Sequence, residues 1–316
     1  MAVDMPLTSL NVYQGINPKP EDHAAYWEIA LQEMRAVDPQ VEIVPSSFQS
    51  PGAECFHLYF TGVRNARIHA KYLRPKTASP QEKHPAILVF HGYSSDSGEW
   101  SDKLKFVQLG FSVAALECRG QGGLSEDTGG VTGNTLHGHM IRGLSDKPEN
   151  LLFRHIFLDA AQLAGIIMQM PEVDEKRVGA LGNSQGGALT LACAALEPRI
   201  RKAAPAYPGL CDFQRSWEMN QNNELRNYFR WFDPEHKNEK EIFTKLGYID
   251  VQHLVDRIEA DVFMGTALND NVCLPSTQFA AYNKIQTPKK MAIFPDFAHE
   301  GLPGFPDQVF MYMAEL

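Results

Sequence analysis

The pattern of apolar and polar positions changes character twice along the chain. Residues 20–35 set Ala24, Ala25, Trp27, Ile29, Ala30 and Met34 among acidic neighbours, which predicts a helix. Two β-rich runs follow, 55–60 and 67–73, joined by Thr61, Gly62, Val63, Arg64 and Asn65; they predict an antiparallel hairpin or a pair of edge strands. Beyond a Pro/Lys/Glu loop at 77–84, the pattern shifts to short unalternated apolar runs at 86–90, 111–116, 178–181, 262–264 and 291–294. Such runs suit strands buried on both faces, as in a parallel sheet covered by helices. Between them, Phe153, Ile156, Phe157, Ala160, Ala164 and Ile167 form one stripe at three- and four-residue spacing, and 188–196 and 277–285 are further helical stretches. The βαβα rhythm predicts a doubly wound, mostly parallel α/β sheet. One segment breaks it. Residues 212–257 are polar, Trp-bearing and too long for a simple connection, so they read either as a helical insertion over the sheet's active edge or as a solvated helix pair that only packs.

Composition narrows the picture without naming a chemistry. A chain of 316 residues that is 44% hydrophobic can build one large core. We therefore expect a single domain over 1–316, with an N-terminal helix and β extension at 1–84 and the insertion at about 212–257. A net charge of −9, from 29 basic and 38 acidic residues, argues against a nucleic-acid surface. The uncharged window 178–196 is broken by glycines and by Asn183-Ser184-Gln185, so no membrane span is expected. Residues 1–15 have neither a basic nor an apolar leader region, and a cleaved secretion signal is not expected. The five cysteines are scattered with no CxxC, which fits buried fillers in a reducing compartment. His137-Gly138-His139 has no third ligand at metal spacing, and Gly120, Gly122 and Gly123 lack a phosphate-loop ending; neither metal nor cofactor is expected.

Gly182-Asn183-Ser184-Gln185-Gly186 matches the G-x-S-x-G nucleophile elbow of α/β-hydrolases, with an apolar strand running in and an Ala/Leu helix running out. In that chemistry a serine needs a base, the base needs an orienting acid, and the chain order is serine, acid, histidine. Three histidines follow Ser184: His236, His253 and His299. The first two fall inside the polar insertion, where a surface histidine is the default. His299 follows the last apolar run, on a loop past a strand's carboxyl end, and is the candidate base. Asp270 lies just beyond the 262–264 strand and is the candidate orienter. Asp261 sits at that strand's wrong end, and Asp296 is the reserve. For the oxyanion, backbone N–H donors are expected from Gln185 and from Tyr93 in Phe90-His91-Gly92-Tyr93, with His91 holding that loop.

Taken together, His91-Gly92-Tyr93, Gly98-Glu99-Trp100, Arg119-Gly120-Gln121-Gly122, Gly-Asn-Ser-Gln-Gly-Gly at 182–187 and His299-Glu300 resemble the acetyl xylan esterase / cephalosporin-C deacetylase family, carbohydrate esterase family seven. The likeness runs from about residue 1 to 316. It implies the same assignments: Ser184 nucleophile, Asp270 orienter, His299 base, Tyr93 and Gln185 oxyanion donors. It further implies removal of O-acetyl groups from small substrates, acetylated xylo-oligosaccharides and cephalosporin C, by an intracellular (cytoplasmic) homo-oligomer, often a hexamer. Tyr207 and Pro208 are implied as an acyl-pocket wall, while Arg119-Gly120-Gln121 is expected to brace a loop beside the site. Two positions depart from the family pattern, Asn183 and Leu274, and neither is a catalytic group. The rival readings are a broader carboxylesterase or peptidase on the same fold, or a catalytically silent binding protein.

Overall fold

The computed structural model describes residues 4–79, 81–128, 135–219 and 223–316. Residues 1–3 of the expected extension, residue 80 of the 77–84 loop and residues 220–222 of the insertion lie outside the described residues. Nine strands form one sheet: β1 (Glu42–Pro45), β2 (Ala53–Thr61), β3 (Arg67–Pro75), β4 (His84–Phe90), β5 (Ser112–Leu116), β6 (Val173–Asn183), β7 (Lys202–Ala206), β8 (Asp261–Ala267) and β9 (Lys289–Phe294). Their spatial order is β1-β2-β3-β5-β4-β6-β7-β8-β9. The first three strands join antiparallel, and β3 pairs antiparallel with β5. From β5 to β9 every pairing is parallel. The hairpin expected from 55–60 and 67–73 is the β2–β3 pair, with β1 outside it as the true edge.

Leu88 at the centre of β4 registers with Ala114 of β5 and Ala180 of β6, so small partners flank a large one in the middle of the sheet. Side chains alternate between two cores: Leu88 joins the cluster with Phe157 and Leu191, and Ile87 the cluster with Phe106 and Met313. The helices Leu152–Met168 and Gln185–Leu196 cover the first face, and Leu104–Val107 and Phe305–Ala314 the second. Three features differ from the sequence pattern. Helix Leu152–Met168 is buried all round apart from Gly165, because helix His23–Arg35 lies over its outer side and stacks Trp27 on Phe157 at 6.1 Å. Strand β9 is not buried on both faces, because it is the far edge of the sheet. Strand β7, Lys-Ala-Ala-Pro-Ala, has no β-branched residue and a proline, so local propensity does not announce it.

The insertion folds as helices Phe213–Glu218, Asn223–Phe232 and Glu239–Leu246 followed by two short 3₁₀ turns. Among the described residues no helix is long and apolar enough to cross a membrane. The chain leaves β4 for β5 on one side and returns to β6 on the other. That reversal of direction puts the crevice at the carboxyl ends of β4 and β6, where parallel sheets of this kind bind ligands.

Candidate active site

Strand β6 delivers Ser184 at the first turn of helix Gln185–Leu196, with φ +57° and ψ −119°. A non-glycine residue rarely adopts this conformation, and the turn persists only because its surroundings fix it. The flanking glycines explain how. A Cβ on Gly186 would lie 2.1 Å from the Phe90 carbonyl oxygen, and one on Gly182 2.5 Å from the Gly186 carbonyl oxygen. Both contacts are with backbone that cannot move aside, so β4, β6 and the helix close on one another only with glycine at 182 and 186.

The three residues chosen from the sequence for proton transfer meet at this turn. His299 Nε2 lies 3.1 Å from Ser184 Oγ, and His299 Nδ1 lies 2.9 Å from Asp270 Oδ2. Asp270 is fully buried, and its Oδ1 accepts the Val272 and Cys273 N–H groups, both at 2.8 Å. That leaves Oδ2 for His299, which fixes the proton on Nδ1 and turns Nε2 toward the serine as an acceptor. Asp296, the reserve, is exposed, and Asp261 stands at the opposite end of β8. His253 is buried against the Asn17 carbonyl and His236 stacks on Phe229, so neither reaches the site.

Tyr93 and Gln185 line the same cavity as Ser184. Among the described residues neither backbone N–H donates a hydrogen bond, and Gln185 opens a helix whose dipole favours negative charge there. A side-chain bridge holds the segments around Tyr93 and Gln185 together. Gln121 Oε1 accepts the Ser94 N–H at 2.9 Å, and the Gln121 and Gln185 side-chain amides pair at 2.8 and 3.0 Å. His91 braces the same loop, donating from Nδ1 to the Gly92 carbonyl and accepting the Cys118 N–H on Nε2. Arg119 does not reach the site. It forms a fully buried two-point pair with Asp159 at 2.7 and 2.5 Å and donates to the Val63 carbonyl.

The cavity above Ser184 has a volume of about 170 Å³ and is lined mainly by Tyr93, Met140, Leu210, Phe213, Val272 and Cys273. Tyr207 and Pro208, implied as an acyl wall, are not part of this lining. Tyr207 donates its N–H to the Gly265 carbonyl at 2.7 Å, and its ring packs edge-on to the His299 ring at 4.8 Å. The next residues, 209–211, line the cavity. A larger open groove of about 590 Å³ lies at the amino-terminal ends of β8 and β9, away from these groups. Among the described residues no three His, Cys, Asp or Glu side chains are placed to hold a metal ion, and His139 is buried against Tyr93 instead.

Three residues near the site, all on the insertion, carry no signal in the sequence. Glu224, on the insertion helix Asn223–Phe232, accepts the Tyr93 hydroxyl and the Gly138 and Met140 N–H groups at 2.8 and 3.0 Å. Phe213 and Ser216 of the insertion's first helix line the cavity. The insertion is therefore part of the site's wall. Cys273 Sγ stands 3.8 Å from Ser184 Oγ, and burial, with the nearby Asp270 charge, pushes its thiol up to about 12 against a smaller opposing hydrogen bond from Ser184. It stays a neutral S–H and does not compete as a nucleophile. Constellations with a strained serine, a histidine within reach and an acid behind it perform acyl transfer on several unrelated folds.

The family model for Acetyl xylan esterase (AXE1) matches residues 1–316. The chain is 27% identical over 293 residues to the acetyl esterase Axe7A of Xylanibacter ruminicola, a match covering 89% of this chain. It spans 63% of the length of that curated relative. Among solved structures, acetyl xylan esterase 1 from Thermoanaerobacterium sp. JW/SL YS485 is 59% identical with a TM-score of 0.95 over 99% of both chains. The acetyl xylan esterase from Paenibacillus sp. R4 is 31% identical with a TM-score of 0.91, over 98% of this chain and 99% of the other.

Proposed function

The chain belongs to the acetyl xylan esterase family of carboxylic ester hydrolases, with an α/β-hydrolase fold, and from that premise we propose that it removes O-acetyl groups from acetylated xylo-oligosaccharides through an acetyl-serine intermediate. The observation that carries this reading is the Ser184–His299–Asp270 relay, with spacings of 3.1 and 2.9 Å, beneath a small, mainly apolar cavity.

The steps follow from the geometry. Ser184 Oγ attacks the acetyl carbonyl carbon while its proton passes to His299 Nε2. The carbonyl oxygen becomes an oxyanion held by the Tyr93 and Gln185 N–H groups. The C–O bond to the sugar breaks, and the sugar oxygen takes the proton from His299. Water then attacks the acetyl-serine, gives a proton to His299, and acetate departs as Ser184 regains its hydrogen. Asp270 keeps Nδ1 protonated throughout and stabilises the imidazolium. No step calls on a cofactor.

The 3′-acetyl of cephalosporin C offers the same small acyl group on an exposed oxygen, and we include it in the substrate class. Five buried free thiols support a reducing, cytoplasmic setting. Exposed Trp231 and Phe232 on the insertion, and Ile43 and Val44 on the open edge strand β1, support a homo-oligomer that covers them; a hexamer is the form implied by the family likeness.

The test is hydrolysis of p-nitrophenyl esters from acetate to octanoate, and of acetylated xylo-oligosaccharides, by wild type and Ser184→Ala. The expected result is a strong preference for acetate, release of acetate from the oligosaccharide, and a loss on the order of 10⁶-fold in kcat for the variant. Equal rates on long esters would make the protein a general carboxylesterase, and inactivity throughout would leave a silent scaffold.

A further inference from the structure

Gly209 has no left-handed φ to explain it, so any residue could adopt its conformation, and its missing side chain leaves a small gap beside the Ser184 turn. Its N–H donates to the Ser184 carbonyl at 3.0 Å, which pins it to the nucleophile turn. A Cβ built on it would point to the space between that turn and the Asp270 loop, 3.3 Å from Cys273 Sγ and 3.8 Å from both Gln185 N and Ser184 C. Gly209 and Cys273 also line the cavity over Ser184. An ester whose carbonyl oxygen is held by Gln185 N–H, with its carbon at Ser184 Oγ, brings that carbon beside this gap, and of its two substituents the acetyl methyl is the one small enough to enter it.

We infer that Gly209 and Cys273 set the acyl-chain length: the gap between them seats the methyl of an acetyl group, Gly209 leaving the space and the Cys273 thiol closing its far side. The inference rests on the proposed Ser184 chemistry and adds the residues that choose acetyl. A side chain at 209 would compete with that methyl, whereas a formyl group, which has none, would still fit. Trimming Cys273 would lengthen the seat by about one heavy atom and admit a propionyl group.

The experiment measures kcat/KM for p-nitrophenyl formate, acetate, propionate and butyrate with wild type, Gly209→Ala, Cys273→Ala and Ser184→Ala, with circular dichroism as the check on folding. Gly209→Ala should lower the acetate-to-formate ratio by about 10-fold or more, and Cys273→Ala should raise the propionate-to-acetate ratio by a similar factor, the usual value of one methylene in an apolar pocket. Unchanged ratios in both variants would overturn the inference. So would an equal fall on formate and acetate in a folded Gly209→Ala. If Gly209→Ala does not fold, Cys273→Ala decides alone. An active Ser184→Ala would instead refute the nucleophile itself, whatever the ratios do, so the two failures are distinguishable.

Discussion

Asp270 divides its work between its two oxygens. Oδ1 is saturated by the Val272 and Cys273 amides and Oδ2 receives His299, so the carboxylate cannot rotate without breaking one set of bonds. In Asp270→Asn the side-chain oxygen would stay with the two backbone donors, and the NH₂ group would face Nδ1. The imidazole would then carry its proton on Nε2, toward Ser184, where an acceptor is needed. We expect kcat for acetyl esters to fall by about 10⁴-fold with little change in KM, measured by steady-state kinetics; a loss under ~10-fold would contradict this role. At this scale much of the site was legible. Ser184 sits in a motif with a steric reason, and Asp270 and His299 follow the carboxyl ends of apolar runs in the right order. The pairing of the Gln121 and Gln185 amides was not legible, because it joins residues 64 apart through loops with no periodicity. Nor was the turning of Tyr207 onto His299, which depends on a bond to β8.

At the level of elements, the buried Arg119–Asp159 pair ties the loop after β5 to helix Leu152–Met168 and to the turn at Val63. Both side chains are essentially without solvent contact. Removing one partner strands the other as an unpaired buried charge, so Asp159→Ala should cost about 3–5 kcal/mol in urea unfolding, a deficit that a loss below ~1 kcal/mol would refute. The same helix shows where pattern reading stops. Its sequence presents a stripe, yet it is enclosed, because its outer side is covered by residues more than a hundred positions earlier, Trp27 among them. The central strands β4, β5, β6 and β8 were readable because burial on both faces writes itself as a continuous apolar run. Only the second half of β6 was readable; its first half, exposed and charged at Glu175, Lys176 and Arg177, looks like a loop. Strand β1, with Pro45 and four exposed residues, carries no such signature.

For the whole molecule, three buried histidines make the chain acid-sensitive, opposed by the fully buried carboxyl of Asp250, which burial and the neighbouring Asp212 push up to about 7. Burial, aided by Lys19, lowers the His23 pKa to about 4; burial with Arg119 and Arg154 lowers His155 to about 3, and burial with Lys284 lowers His253 to about 3. An unfolded histidine titrates near ~6.5, so between that value and the folded ones the unfolded chain binds more protons than the native state. Their stabilisation is complete above pH ~6.5 and is lost as pH falls toward the folded values of about 4 and 3. Thermal melts should show Tm declining steadily below pH ~6.5, and a Tm unchanged down to pH ~4 would contradict this. The βαβα order and the parallel sheet were foreseeable at this scale, whereas the insertion's place against Tyr93 rests on Glu224, one carboxylate among many in a polar stretch. The proposed chemistry requires Ser184 to be the group that becomes acylated. The most direct test treats the protein with diethyl p-nitrophenyl phosphate, maps the label by peptide mass spectrometry, and measures residual acetate release from acetylated xylo-oligosaccharides in the same samples. One phosphoryl group per chain, on Ser184, with activity falling in proportion, is the expected result. Label on another residue, or acetate release by the fully labelled protein, would contradict it.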